Sequence, residues 1–233
     1  MVPNVPFVHL HLHTQYSLLD GAIKHRPLFE RVKTLGQPAV AMTDHGNLFG
    51  AIEFYDSARS AGVKPILGCE VYVAAGSRFE KEKREKDSSG FDAISHLLLL
   101  AIDEVGYRNL VYLVSKGYLE GFYYKPRIDL DLLRERNAGL LATSGCLSSL
   151  VSRAILGGQP ETAWRLVEEF SRIAGVTGLV MTKLDGTARG GILVAIAAKF
   201  GMPVHFIGVG EGVEDLSPFA AKDFAAAVAG IGE

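Results

Sequence analysis

Short apolar runs alternate along this chain with segments in which apolar residues recur every three or four positions. Strands turn successive side chains to opposite faces, and a strand buried on both faces reads as an unbroken apolar run. The pattern therefore predicts strands over Pro6–His11, Ala39–Thr43, Lys64–Leu67, Ser95–Ile102 and Gly139–Thr143. Helical spacing predicts helices over Pro27–Leu35, Gly50–Ala61, Gly106–Gly117, Leu130–Arg136, Leu147–Leu156 and Glu161–Phe170. A tighter series follows, with strand Gly178–Thr182, helix Gly190–Phe200, strand Pro203–Gly208 and helix Leu216–Ala229. Strands alternating with helices imply a parallel α/β architecture. The stretch "SRFEKEKREKDSSG", Ser77 to Gly90, interrupts the rhythm. Its acidic residues nearly cancel its basic ones, so it reads as an exposed loop or short solvated helix rather than a nucleic-acid patch.

With 233 residues, the chain has room for one large α/β domain or two small ones. A net charge of −2 provides no general field for nucleic acid, so any such contact must be local. The longest apolar runs, Leu97–Ile102 and Gly191–Ala198, are too short to span a bilayer. No secretory signal is read at the start, and two cysteines, Cys69 and Cys146, fit a reducing cytoplasm. The chain changes character near Ser171: histidines and charged helices precede it, while Gly, Ala and Val dominate after it, with His205 the one later histidine.

The first chemical signal is "VHLHLH", residues 8–13. On a strand, His9, His11 and His13 share one face, and two imidazoles so spaced can present nitrogens to one metal ion. Asp44 and His45 directly follow a predicted strand, in "MTDHGNLFG", where parallel α/β folds carry their active-site groups. Glu70 ends "LGCE", His96 heads the apolar run "SHLLLLA", and Cys146 follows "LLATSG". Each has an innocent reading alone, as surface, strand start or small buried hydrophobe. Together they point to a metal cluster at one rim of the fold.

These segments carry a resemblance. "FVHLHLHTQYSLLDG", "AMTDHGNLFGAIEFY", "GVKPILGCEVYV", "SHLLLLA" with "GYRNL", "GFYYKPRID" and "GLLATSGCLSS" resemble, in order, the polymerase and histidinol phosphatase (PHP) domain. More narrowly, they are similar to that domain at the N-terminus of bacterial DNA polymerase III alpha subunits. The resemblance runs from about Phe7 to about Phe170 and implies a distorted β/α barrel with up to three divalent metals at its rim. Positions matching the implied ligands are His11, His13, Asp20, His45, Glu70, His96 and Cys146, with His9 beside the motif and unassigned. The implied activity is metal-dependent 3′→5′ hydrolysis of a phosphodiester, with a single-stranded DNA end and the replication machinery as partners. Zn²⁺, Mn²⁺ or Mg²⁺ would lower the pKa of a bound water and clamp the phosphate oxygens. Asp44 would accept a hydrogen bond from a ligand histidine. Tyr123, Tyr124, Lys125 and Arg127, in "YYKPR", could stack on bases and hold phosphate.

After Phe170 the resemblance implies a further strand bearing an Asp and a His, and none is present. "TKLDG" follows a predicted strand instead, with Thr182, Lys183 and Asp185 matching a guanine-recognition motif. From Ala174 to Gly230 the chain resembles the last part of the GTPase domain of the signal recognition particle receptor. Gly208, Gly210 and Glu211, in "GVGE", match the closing loop of its nucleotide pocket. That resemblance implies GTP, the signal recognition particle and the inner face of the cell membrane. Yet no Gly-Lys pair occurs in the chain, so the phosphate-cradling loop is missing and GTP should bind feebly. Two resemblances cut short at one place suggest a chimera of a PHP portion over residues 1–170 and a GTPase fragment over residues 171–233. The fold expected is an incomplete PHP-type β/α barrel followed by a partial doubly wound parallel α/β unit. A metal-dependent phosphoesterase impaired by its missing strand, a GTP-binding targeting component and a metal-stabilised scaffold without catalysis are the functional readings.

Overall fold

A computed structural model of the chain describes residues 7–81, 94–143, 148–174, 179–181, 204–208, 216–218 and 220–222. Two compact units divide at Gly175 and Val176. The first contains α1 (His25–Thr34), β1 (Ala39–Met42), α2 (Ala51–Ala61), β2 (Lys64–Ala74), β3 (Ile94–Ala101), α3 (Glu104–Leu119), β4 (Arg127–Ile128), α4 (Leu130–Glu135), β5 (Leu140–Thr143), α5 (Leu150–Leu156) and α6 (Pro160–Ala174). The second contains β6 (Leu179–Met181), β7 (Val204–Gly208) and β8 (Leu216–Pro218). Helix α6 runs across Ser171, the position of the expected division.

The sheet of the first unit has the order β1-β2-β3-β5, with β4 also paired to β2. It is only partly parallel: β1 and β4 run parallel to β2, while β3 runs antiparallel to both β2 and β5. The sequence rhythm predicts parallel strands throughout. An apolar run buried on both faces reads the same in either direction, so it cannot reveal that β3 is reversed. Strand β2 extends well past the predicted Leu67, to Ala74, so Glu70 lies inside the strand rather than at its end.

Side-chain alternation along β2 and β3 divides core from site. Cys69, Val71 and Val73 join Leu97 and Leu99 in one core cluster with Leu110 and Leu113 of α3 and Leu132 and Leu133 of α4. Glu70 and Tyr72 consequently turn to the other face, where Tyr72 pairs with His96 across the ladder. A second cluster gathers Leu28, Phe29 and Val32 of α1, Val40 and Met42 of β1, and Phe54 and Ala58 of α2. Local signals hold the helices. Asp103 caps α3 by accepting from Gly106 N, Asp129 caps α4 through Leu132 N, and Ser149 caps α5 through Ser152 N. Gly62 closes α2 in the left-handed conformation that other residues resist.

Two expectations are corrected here. The predicted strand over Pro6–His11 is absent from its described part. Ala41 N donates to His9 O, yet Thr43 N donates to Leu12 O, so three steps of the histidine segment oppose two of β1. That extra residue is bulge-like and breaks the ladder. In the second unit, Leu216–Pro218 is strand, antiparallel to β7, where a helix over Leu216–Ala229 is expected. Pro218 lacks an N–H and is tolerated at the end of this edge strand, and among the described residues that follow it only Ala221 and Lys222 are helical. The expected helix Gly190–Phe200 lies outside the described residues. Strands β6 and β7 are parallel, as expected.

Candidate metal centre

Glu70 gathers the site. Its side chain is 4% exposed, while those of His11, His13, His45 and His96 are 38%, 26%, 21% and 24% exposed. One carboxylate oxygen, Oε2, lies 2.5 Å from His11 Nε2 and 3.3 Å from His13 Nε2. The other, Oε1, contacts His96 Nδ1 and lies 3.6 Å from His45 Nδ1. The donors fall into two groups, His11–His13–Glu70 and His45–Glu70–His96, and within each the ligand atoms lie no more than 4.8 Å apart.

Each side chain arrives by a different route. Glu70 and His96 are set by the alternation of β2 and β3. His45 follows β1 and forms an isolated parallel bridge to Glu70 on the edge of β2 opposite β3. His11 lies within the bulged stretch between His9 and Leu12, and His13 follows it. The rings of His13 and His45 stack at 4.0 Å between centroids and 23° between planes, which joins the two groups.

The residues fit a metal. His45 Nδ1 is buried and makes no hydrogen bond, so a cation beside Glu70 Oε1 would satisfy it. His11 Nε2 and His13 Nε2 stand 3.1 Å apart on the same carboxylate oxygen, a crowding that suits a shared ion. Imidazole nitrogens with carboxylate oxygen form a borderline donor set. The electrostatics point the same way. Burial would raise the Glu70 pKa, but hydrogen bonds from His11, His13 and His96 overcome it and hold the carboxyl well below its usual range. Burial would lower His13, but the hydrogen bond and charge of Glu70 outweigh it and raise the pKa above 6.5. His45 is lowered, first by burial and then by the nearby His13.

Of the other predicted ligands, Asp20 joins the edge of the cluster, its Oδ2 3.1 Å from His45 Nε2. Cys146 lies outside the described residues, as do Thr182, Lys183, Asp185, Gly210 and Glu211. Gly208 is the last residue of β7. His9 belongs to neither ligand group; burial lowers its pKa, and it lines a cleft of about 520 Å³ beside His11 and His13. Leu28, Val32 and Arg31 also line that cleft, together with Gln37, whose Oε1 is buried without a hydrogen-bond partner.

Asp44 does not meet a ligand ring directly. It is fully buried and accepts from Thr14 N at 2.6 Å, Thr14 Oγ1 at 2.7 Å and Ser17 Oγ at 2.8 Å. Ser17 Oγ in turn lies 3.1 Å from His13 Nδ1 and accepts from His45 N. Ser17 and Thr14 escape a sequence reading because an isolated hydroxyl carries no spacing signal. Tyr72 escapes it too: its ring packs edge-on against His96 at 5.1 Å, and burial, then Glu70, pushes its pKa up to about 12.

The "YYKPR" loop divides in two. Lys125 reaches the rim of the cluster, its Nζ 3.4 Å from Tyr72 OH, and Tyr124 is 78% exposed. Arg127 is buried, with Nε donating to Gly121 O and Nη2 to Glu80 O and Arg78 O. Its guanidinium holds the loop rather than facing solvent. Tyr123 packs against Tyr124 and under Arg127.

A strand-borne carboxylate ringed by four histidines thus lies beside an open cleft. The family profile described as "PHP domain" matches residues 9–183, and the chain belongs to that family. Among its relatives, the DNA polymerase III subunit alpha of Thermus aquaticus is 53% identical over 174 residues, which cover 73% of this chain and 14% of the relative. That of Treponema pallidum is 40% identical over 203 residues, covering 85% of this chain and 17% of the relative. The chain thus spans about a seventh of the Thermus relative's length. A structure described as a metal-dependent phosphoesterase from Bifidobacterium adolescentis aligns with a TM-score of 0.51 at 15% identity, covering 97% of this chain and 96% of that one. Cell division protein FtsY from Thermotoga maritima aligns at 0.38 and 19% identity, covering 99% of this chain and 70% of that one. Among the described residues, no helix is long and apolar enough to cross a membrane.

Proposed function

We infer that this chain is a metal-dependent phosphoesterase acting on the 3′ end of single-stranded DNA, as part of a replicative polymerase. The observation that carries this is Glu70 shared between two histidine groups, with His45 Nδ1 buried and unpartnered beside it. Bound there, a divalent cation supplies a more acidic water and offsets the charge that develops on a phosphodiester. The imidazole majority favours Zn²⁺ or Mn²⁺ over Mg²⁺. His11 and His13 offer Nε2, His45 and His96 offer Nδ1, and Asp20 supplies a further carboxylate at the exposed edge. Lys125 stands where it can hold a phosphate oxygen at the rim, and Tyr124 offers an exposed ring for a base. The cleft lined by Leu28 and Val32 has room for the terminal nucleoside. Replication as the setting rests on the alpha-subunit relatives.

Hydrolysis is expected to be slow in this chain, because no Asp and His recur together after Phe170. The test is a 5′-labelled single strand incubated with the protein and Mn²⁺, with and without chelator. Metal-dependent shortening from the 3′ end, lost in His11→Ala, is the expected result. Metal binding with no shortening would replace this reading by a scaffold that the metal merely stabilises.

A further inference from the structure

We propose that Ser17 is the positioning residue of the centre, fixing the tautomer of His13 so that its Nε2 lone pair faces the metal. This rests on reading the cluster as a metal centre. A serine hydroxyl has one proton to give and can accept more than one. Ser17 Oγ has three close neighbours: Asp44 Oδ1 at 2.8 Å, His45 N at 3.1 Å and His13 Nδ1 at 3.1 Å. The carboxylate of Asp44 can only accept, so the Ser17 proton is directed to it. The backbone N–H of His45 can only donate, so Ser17 accepts there. With its proton committed, Ser17 can meet His13 Nδ1 only as an acceptor. Nδ1 therefore keeps its proton against Ser17, and Nε2, which faces Glu70 Oε2 at 3.3 Å and donates to it in the metal-free protein, is the nitrogen whose proton a cation would displace.

The rest of the network supports that direction. Asp44 is oriented by Thr14 through both backbone N and side-chain Oγ1, so its Oδ1 is held toward Ser17 whatever the state of the cluster. Asp44 and Ser17 are buried, at 0% and 1% exposure, so no solvent competes for these bonds. Ser17 also touches both ligand groups, the ring of His13 in one and the backbone of His45 in the other. One hydroxyl thus sets the ligand atom of His13 and ties the loop carrying His45 to it.

The experiment has two arms. In the Zn²⁺-loaded protein, two-bond ¹H–¹⁵N correlations assign the His13 ring nitrogen that keeps its proton. The expected spectrum has His13 protonated on Nδ1, and protonation on Nε2 in the wild type overturns the proposal without any variant. In Ser17→Ala the Nδ1 preference is lost, and Zn²⁺ affinity measured by calorimetry falls about ten- to a hundredfold. Ser17→Thr, which keeps a hydroxyl, recovers the spectrum and most of the affinity. Unchanged affinity in a folded Ser17→Ala protein overturns the proposal. Failure of the wild type to bind Zn²⁺ would sink the metal reading, an outcome distinct from Zn²⁺ binding with the His13 proton found on Nε2.

Discussion

The carboxylate of Glu70 stands 2.5 Å from Nε2 of His11, a residue 59 positions earlier in the chain. Because Glu70 also serves His13, His45 and His96, it is the one ligand common to both halves of the centre. Glu70→Gln is expected to abolish metal stabilisation. In the wild type, metal at a hundred times its dissociation constant should add about 2.7 kcal/mol. At this chain size that raises the melting midpoint by about 5–10 °C. A thermal melt with Mn²⁺, Zn²⁺ and chelator checks it, and an undiminished shift in Glu70→Gln would remove Glu70 from the ligand set.

The raised pKa of His13 makes opposite predictions for the free and loaded protein. Without metal, the charged ring paired with Glu70 contributes stability that is fully present below pH 6.5 and is lost as pH rises through the higher folded value. With metal, protons compete for the same nitrogen, so affinity falls as pH drops, beginning above 6.5. His45, whose pKa is lowered, stays neutral to lower pH and adds nothing in that window. Melts from pH 6 to 9, with metal and with chelator, should move in opposite directions, and parallel curves would contradict this assignment.

Lys125 and Arg127 lie two positions apart yet should behave differently. Lys125→Ala is expected to weaken single-stranded DNA binding and flatten its salt dependence with little loss of stability. Tyr124→Ala should cost about 1–3 kcal/mol of binding if its ring stacks on a base. Arg127→Ala should chiefly destabilise the protein, because it strips three backbone carbonyls of their donor. Filter binding beside denaturant unfolding separates the two effects.

Gly46 holds the turn after His45 at φ +62°, and a Cβ there would come within 2.8 Å of the Tyr72 ring. Gly46→Ala is therefore expected to cost about 1–3 kcal/mol. It should also disturb Tyr72 and, through it, metal affinity. Urea unfolding gives the first effect and calorimetry the second, and a neutral substitution would mean that the turn relaxes freely.

A fluorescent GTP analogue is expected not to bind, and Asp185→Asn to change nothing, because the chain has no Gly-Lys phosphate loop. Saturable binding lost in Asp185→Asn would reverse that expectation.

Where the physics is local, the sequence sufficed. Helices α1, α2, α4 and α6 follow from apolar spacing and from caps such as Asp129 and Gly62, and strand β1 from an apolar run. The identities of His11, His13, His45, Glu70 and His96 as candidate ligands were legible as well, because so many metal-binding residue types recur together beside predicted strands in motifs that resemble one family. Only the tertiary structure decided what they do together. That β3 runs against β2, putting His96 opposite Tyr72, depends on long-range pairing that no local pattern encodes. So does the bulge against β1, which ends the strand expected at the first histidines. Ser17 acquires its role from Asp44, 27 residues away, and Arg127 is buried by carbonyls from distant loops. Residue type and spacing state what a side chain can bind, whereas the direction of a hydroxyl proton or the burial of a guanidinium is set by neighbours that only folding supplies.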